Sequence, residues 1–356
     1  MQFELNEDNA LLKSSTREFL EKESPLEKVR TVTEETPEGF SREVYAQLAE
    51  LGYLGLTLPE NLGGVEAGPV GLAAVTHEMG RAAFPGPFLD VLLGAEMLSR
   101  LDGKRAANLL QQVIRGDKIV LLARAETLTH PREPAPKVRF SDGRISGTKG
   151  PVAFGASADA LLVTTRQGLV LVARPEAGWN AVSLDTFDHT QRFVQITLDD
   201  PGELVADQAV PEEVDLLGAL GASGRLLGLM ERCLEMAVDY LKEREAFGQT
   251  IGSFQALQHR AADMWIQTQS SYAAVYRAAW SLGERLEEAP FLVAAAKAYS
   301  GDAAGFVCGE TIQLFGGVGY TWEYDPHIYF KRVKTLQQLY GSTRNQLELA
   351  LRAKGI

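Results

Sequence analysis

The sequence predicts a multidomain α+β protein whose regions run α, β, α, and three successive textures along the chain predict it. Apolar residues recur at spacings of three and four from about residue 7 to 115, short alternating or β-branched runs broken by tight turns follow to about residue 200, and helical spacing returns from about 210 to the end. The expected domains are an N-terminal helical domain over 1–116, a middle antiparallel β-barrel or sandwich over 117–209, and a C-terminal four-helix bundle over 210–356.

In the first region, Phe19, Val44, Leu48, Leu51, Ala73, Ala74 and Met79 carry the helical spacing. Thr36-Pro37, the stretch from Leu58-Pro59 to Gly63-Gly64, and Phe84-Pro85-Gly86-Pro87 break it, because proline lacks the amide donor and glycine pays the largest backbone entropy in a helix. In the second, Asp142-Gly143 joins Lys137–Phe140 to Arg144-Ile145-Ser146, a hairpin signal, and Gln167-Gly168 does the same between Leu161–Thr165 and Leu169–Ala173. Phe193–Leu198 adds a further strand. In the third, Leu226, Met230, Cys233, Ala237 and Tyr240 fall on one helical stripe, and an apolar helix from about Phe291 to Leu314 leads into Gly316, Gly317 and Gly319.

With 356 residues, 45% of them hydrophobic, the chain has enough apolar material for a large core. Its net charge of -12 argues against nucleic acid or an anionic membrane as partner, since either needs a basic surface. The two cysteines, Cys233 and Cys308, sit in apolar helical patterns and read as buried free thiols. His77, His130, His189, His259 and His327 have no metal-ligand spacing and read as surface or packing residues. The acidic start, Met1 to Asp8, has no long apolar run, so a cytoplasmic protein is expected.

Two motifs carry chemistry. Arg244-Glu-Ala-Phe247-Gly248-Gln249-Thr-Ile-Gly-Ser253-Phe254-Gln255 places an arginine at a helix end, a Phe-Gly break and then Ser253 as the expected N-cap of the next helix. A rigid cation beside exposed backbone donors suits a pyrophosphate; the alternative is a helix-turn-helix whose arginine pairs with a carboxylate. Gln313-Leu-Phe-Gly316-Gly317-Val-Gly319-Tyr320 reads either as a helix C-cap and turn or as backbone that lets a ligand approach closely.

Together these segments resemble the flavin-dependent acyl-CoA dehydrogenases. Leu48 to Gly64 and Glu78-Met-Gly80-Arg81-Ala82 resemble that family's first helical domain, so the similarity covers most of the chain. Carried over position by position, the resemblance implies FAD as cofactor, with Arg244, Phe247, Gln255, Gln313, Gly316 and Gly317 touching the adenosine and pyrophosphate of a flavin held by a neighbouring subunit.

The departures concern this chain's own site. Lys149-Gly150-Pro151-Val152-Ala153 aligns with the family's Lys-x-Trp-Ile-Thr, so Pro151 and Ala153 replace the tryptophan and threonine expected at the flavin ring. Near Ala123-Arg-Ala-Glu126-Thr127-Leu128 no Thr-Glu-Pro survives, and the run from His130 to Pro136 replaces the usual Gly-Ser-Asp. Taking the α-proton of an acyl-CoA needs a carboxylate raised in pKa by a dry site. The family's two base positions here are Gly341, in Gln338-Gln-Leu-Tyr340-Gly341-Ser342-Thr343, and Gly218. Asp215, one turn from Gly218, is a fallback base or else a solvated helix-start carboxylate, and Glu323 is expected to anchor the turn around Trp322.

The resemblance therefore implies α,β-desaturation of an acyl-CoA, with this chain as the base-less subunit of a heterotetramer with a paralogous catalytic subunit, and electron-transferring flavoprotein as acceptor. The alternatives are a self-sufficient homo-oligomeric enzyme using Asp215 or another acid, and a non-catalytic acyl-CoA-binding scaffold.

Overall fold

The computed structural model describes residues 5–127, 136–208 and 210–356. In chain order they form α1 (Glu7–Glu23), α2 (Leu26–Glu35), α3 (Arg42–Glu50), α4 (Gly68–Arg81), α5 (Phe88–Leu98) and α6 (Lys104–Ile114). The strands β1 (Val120–Ala123), β2 (Arg139–Ser141), β3 (Arg144–Ala153), β4 (Ala160–Thr164), β5 (Leu169–Ala173), β6 (Ala181–Leu184), β7 (Phe193–Pro201) and β8 (Glu203–Ala206) follow. Last come α7 (Glu212–Glu243), the two-residue strands β9 (Glu245–Ala246) and β10 (Gln249–Thr250), α8 (Gln255–Gly283), α9 (Ala289–Phe315), α10 (Pro326–Gln338) and α11 (Thr343–Ala353). The α, β, α order is the one read from the sequence. The reading of residues 128–135, including His130, lies outside the described residues.

The strand region is two open four-stranded sheets, ordered β1-β4-β5-β8 and β2-β3-β7-β6, and not a closed barrel. Asp142 and Gly143 both have positive φ, 51° and 76°, which is the two-residue turn that matches strand twist, so β2 and β3 pair directly. One pairing departs from the antiparallel expectation: β1 runs parallel to β4, with Val120 opposite Ala160. A parallel pair needs a long crossover, and the intervening β2 and β3, built into the other sheet, supply it.

The chain forms two compact units. One comprises Met1–Leu26, Pro69–Phe84 and Ala219–Ile356, the other Glu27–Gly68 and Pro85–Gly218. In the first, Leu226, Met230, Cys233 and Ala237 are fully buried, as their stripe predicts, and α9 packs against α8, α10 and α11. The crossing of α4 over α7 is close enough to require glycine: a Cβ on Gly228 would lie 1.9 Å from the His77 carbonyl oxygen. Both cysteines are free and buried. In the second unit α5 lies on β1, and a Cβ on Gly94 would meet the Val120 carbonyl oxygen at 2.1 Å.

Among the described residues no helix is long and apolar enough to cross a membrane, and no group of three or more His, Cys, Asp or Glu is placed to hold a metal ion.

Candidate functional site

The Arg244 motif folds into a corner at one end of the helical unit. After α7, β9 and β10 pair antiparallel across Phe247 and Gly248, whose φ values of 55° and 80° give a tight two-residue turn. Phe247 is 95% exposed, so a bulky aromatic occupies left-handed backbone, at a cost of roughly 1–2 kcal/mol, while burying almost nothing. Among the described residues its ring meets that of Phe254 edge-on, with centroids 6.2 Å apart. Arg244 is exposed and makes no ion pair among the described residues, so the alternative in which it pairs with a carboxylate is not the one observed. Gln255 is exposed on the first turn of α8. Ser253 is not the N-cap expected of it: Phe254 holds that position, and the Ser253 hydroxyl donates to the Thr250 carbonyl at 2.7 Å.

The glycine motif reaches the same end. At the end of α9, Ile312, Leu314 and Phe315 are buried whereas Gln313, Gly316 and Gly317 are exposed. Gly316 caps the helix with φ 65°, and a Cβ added to Gly316 or Gly317 would find nothing within 4 Å. Open space on this scale leaves backbone accessible to a ligand. Tyr240, whose carbonyl accepts the Arg244 amide at 2.9 Å, stacks on Phe315 at 4.2 Å between centroids and 12° between planes. Tyr324 stands edge-on to both rings. This aromatic stack ties the last turns of α7 and α9 together, bringing Arg244 and the Gly316-Gly317 backbone to one end of the bundle. Sequence reasoning placed Tyr240 on a core stripe and did not see this role. Glu323 is exposed and does not anchor the turn; ring contacts do, Tyr324 against Phe315 and Trp322 against His327.

The segments expected at the ring end lie in the sheet unit and are bonded to each other. The Gly150 amide donates to the Ala125 carbonyl at 2.7 Å, setting the end of β1 beside Pro151. The Lys149 ammonium, wholly buried, donates to Glu126 at 2.7 Å, to the Thr164 hydroxyl at 3.0 Å and to the Arg124 carbonyl at 3.1 Å. Burial works against the Glu126 carboxylate, but the bonds from Lys149 and from the Lys137 and Val138 amides hold its pKa below the usual range. Ala125, Pro151 and Ala153 present no hydroxyl or indole, so these side chains do not fit the donor set that a flavin ring needs. Asp215 is not solvated: its side chain is 16% exposed and bonded to the Arg124 guanidinium.

The two base positions are structurally committed to glycine or closed in. Gly218 is buried in α7. Gly341 has φ +99°, and a Cβ there would lie 2.5 Å from the Gln346 amide nitrogen. Its carbonyl accepts a hydrogen bond of 3.1 Å from Lys297, an amine pushed down to about 8 by burial. A glutamate at 341 would thus meet both left-handed backbone and a side chain in its way.

The helical unit also holds a charged network that the spacing of the histidines did not reveal. His77, fully buried, bonds Glu231 at 2.8 Å through Nε2, and Nδ1 lies 3.3 Å from the Tyr276 hydroxyl. Arg81 pairs with Glu231 and Glu235, and Arg17 with Glu78 at 2.8 Å. Burial pushes the His77 pKa down. Burial opposes ionisation of Glu231 as well, but the His77 bond and the charges of Arg81 and Lys13 hold it well below the carboxylate range.

Comparison with known proteins matches residues 6–105 to the family described as "Acyl-CoA dehydrogenase, N-terminal domain" and residues 217–354 to "Acyl-CoA dehydrogenase, C-terminal domain". Acyl-CoA dehydrogenase IpdE2 of Mycobacterium tuberculosis is 30% identical over 310 residues, 87% of this chain and 86% of its own length. Its namesake from Mycolicibacterium smegmatis is 28% identical over 344 residues, 96% of this chain and 97% of that protein. Among solved structures, a chain of the ChsE4-ChsE5 complex from Mycobacterium tuberculosis superposes with a TM-score of 0.86 at 27% identity, over 100% of this chain and 99% of that one.

Proposed function

Because this chain belongs to the acyl-CoA dehydrogenase family, we propose that it is the base-less subunit of a two-chain enzyme and completes a flavin site whose ring and base belong to a paralogous partner. The cofactor is FAD, which supplies the electron-accepting chemistry for desaturating an acyl-CoA thioester to the 2,3-enoyl-CoA. The carrying observation is the contrast within this chain: Arg244 and the Gly316-Gly317 backbone stand open, while Ala125, Pro151, Ala153, Gly218 and Gly341 offer neither ring donors nor a base.

In this reading Arg244 supplies fixed charge and a planar set of donors for a pyrophosphate. Gly316 and Gly317 let that ligand lie against backbone, Gln313 and Gln255 offer amides to adenosine, and Phe247 gives an apolar face. None of these groups moves a proton of the substrate; their work is to bind and orient. Flavin held across two chains also favours assembly, since a ligand that binds only the assembled form shifts the equilibrium toward it. The superposition on a chain of a complex named for two proteins supports a paralogous partner. Electron-transferring flavoprotein is the proposed acceptor.

The test is reconstitution of the purified chain with a paralogue that retains the family glutamate and Trp-Ile-Thr segment. Expected are little flavin on the chain alone and one flavin per pair of subunits in the complex. Stoichiometric FAD and dehydrogenation by the chain alone would sink the proposal. A self-sufficient enzyme would use Asp215 or another acid as base, and the Asp215 carboxylate is held by Arg124.

A further inference from the structure

We infer that the Arg124–Asp215 ion pair is an internal brace occupying this chain's own ring-end pocket in place of a ligand. The inference rests on the reading above, in which that pocket holds no flavin, and adds what fills and supports it.

Three placements carry it. Arg124 immediately precedes Ala125, whose carbonyl accepts the Gly150 amide at 2.7 Å, and the Arg124 carbonyl itself accepts from Lys149 at 3.1 Å. The arginine therefore springs from the junction of the two segments that the family resemblance assigns to a flavin ring. Asp215 lies in the first turn of α7, three residues before buried Gly218, and residues three apart share a helix face. The ion pair thus spans from the ring-end segments to the helix face that carries the second base position. Finally, the two side chains are 18% and 16% exposed, which separates this pair from the surface ion pairs of the molecule, such as Arg144–Asp199 at 56% and 81%.

The physical consequence is asymmetric. An anion in the first turn of a helix is favoured by the helix dipole, and its partner cation is directly bonded to it. Removing Asp215 leaves the Arg124 guanidinium largely out of water without the carboxylate it is bonded to, which is worse than removing both. Any ring or thioester entering against Ala125 and Pro151 would have to separate the pair and desolvate both charges. The same two residues therefore exclude a ligand and do the mechanical work that a ligand would otherwise do, holding β1 to the start of α7.

A double-mutant cycle on the full chain tests the brace. Arg124→Ala and Asp215→Ala are each expected to lower Tm by on the order of 5 °C, and the double variant to lose clearly less than their sum. If a single alanine variant does not fold, Arg124→Gln and Asp215→Asn, close to isosteric, complete the same cycle. The second readout is fluorescence titration with lumiflavin, which has the ring and no adenosine: the double variant should bind it at least about fivefold more tightly than the wild-type chain. Additive losses, or equal lumiflavin binding by the two proteins, would overturn the brace and leave the two-subunit reading standing. Tight lumiflavin binding by the wild-type chain would instead refute the reading on which the inference rests.

Discussion

The end of the helical unit and the ring-end segments of the sheet unit obey opposite rules. At the first, Phe247 holds left-handed backbone while 95% exposed, Arg244 has no counter-ion among the described residues, and two glycines open onto empty space. At the second, Lys149 is wholly buried with three hydrogen-bond acceptors, and Arg124 is tied to Asp215. A protein meets backbone strain and exposed aromatic surface without internal return where something outside the chain supplies the return. It satisfies every buried charge internally where nothing else arrives. The difference separates an open corner, which the proposed reading assigns to another molecule, from segments whose charges are satisfied within the chain.

The largest effect that sharpens this contrast belongs to the ring-end segments. Glu126→Ala takes the bonded carboxylate away from the buried Lys149 ammonium and should cost about 3–5 kcal/mol of stability, measured by denaturant unfolding. A loss below about 1 kcal/mol would mean that the segment is not the self-contained scaffold described. Next is Arg244→Ala, expected to weaken flavin retention by the reconstituted complex about 10- to 100-fold while leaving the unfolding of this chain unchanged, since the guanidinium is exposed. Gly317→Leu should act likewise, because a Cβ added there meets nothing within 4 Å inside this chain. If either variant destabilises the chain itself, the corner is structural and the contrast fails.

Acid acts on the charged network in the interior of the helical unit. The His77 pKa is lowered in the fold, so its contribution is present above the ordinary value of 6.5 and is lost as pH falls below it. Glu231, also lowered, adds a loss of the same sign below 4.5. Stability should therefore fall on acidification from about pH 6.5, by up to about 1.4 kcal/mol per pH unit for one proton. His77→Gln should flatten the upper part of that slope; an unaltered profile would show that the network does not hold His77 neutral. The smallest expected change is at Phe247. Phe247→Asn relieves the left-handed strain and should raise the stability of the isolated chain by about 0.5–1 kcal/mol, while weakening its association with the partner. Loss of stability would show that the exposed ring is held for the chain's own sake.

Much of the fold was legible because its signals are local. Asp142-Gly143 specifies a two-residue turn by φ alone, and the Leu226 to Ala237 stripe specifies a buried helix face by spacing alone. Ser253 was misjudged because its hydroxyl has a competing local acceptor, the Thr250 carbonyl. Glu323 was misjudged because aromatic packing holds its turn, and ring contacts leave no pattern in the sequence. The parallel pairing of β1 with β4 was invisible for a related reason, since it joins segments separated by a whole hairpin.

By itself, then, the sequence determined the α, β, α order, the residue types at the Arg244 and Gly316 motifs, and the glycines at positions 341 and 218, all of which follow from local propensity or from identity at a position. Only the tertiary structure decided that the Tyr240–Phe315 stack brings the two motifs to one end, that Lys297 grips the carbonyl of Gly341, and that Asp215 faces Arg124 and not solvent. Those outcomes depend on which side chains meet across 75, 44 and 91 residues of chain. Spacing within one helix or strand fixes a face, but the partner of that face is set by packing.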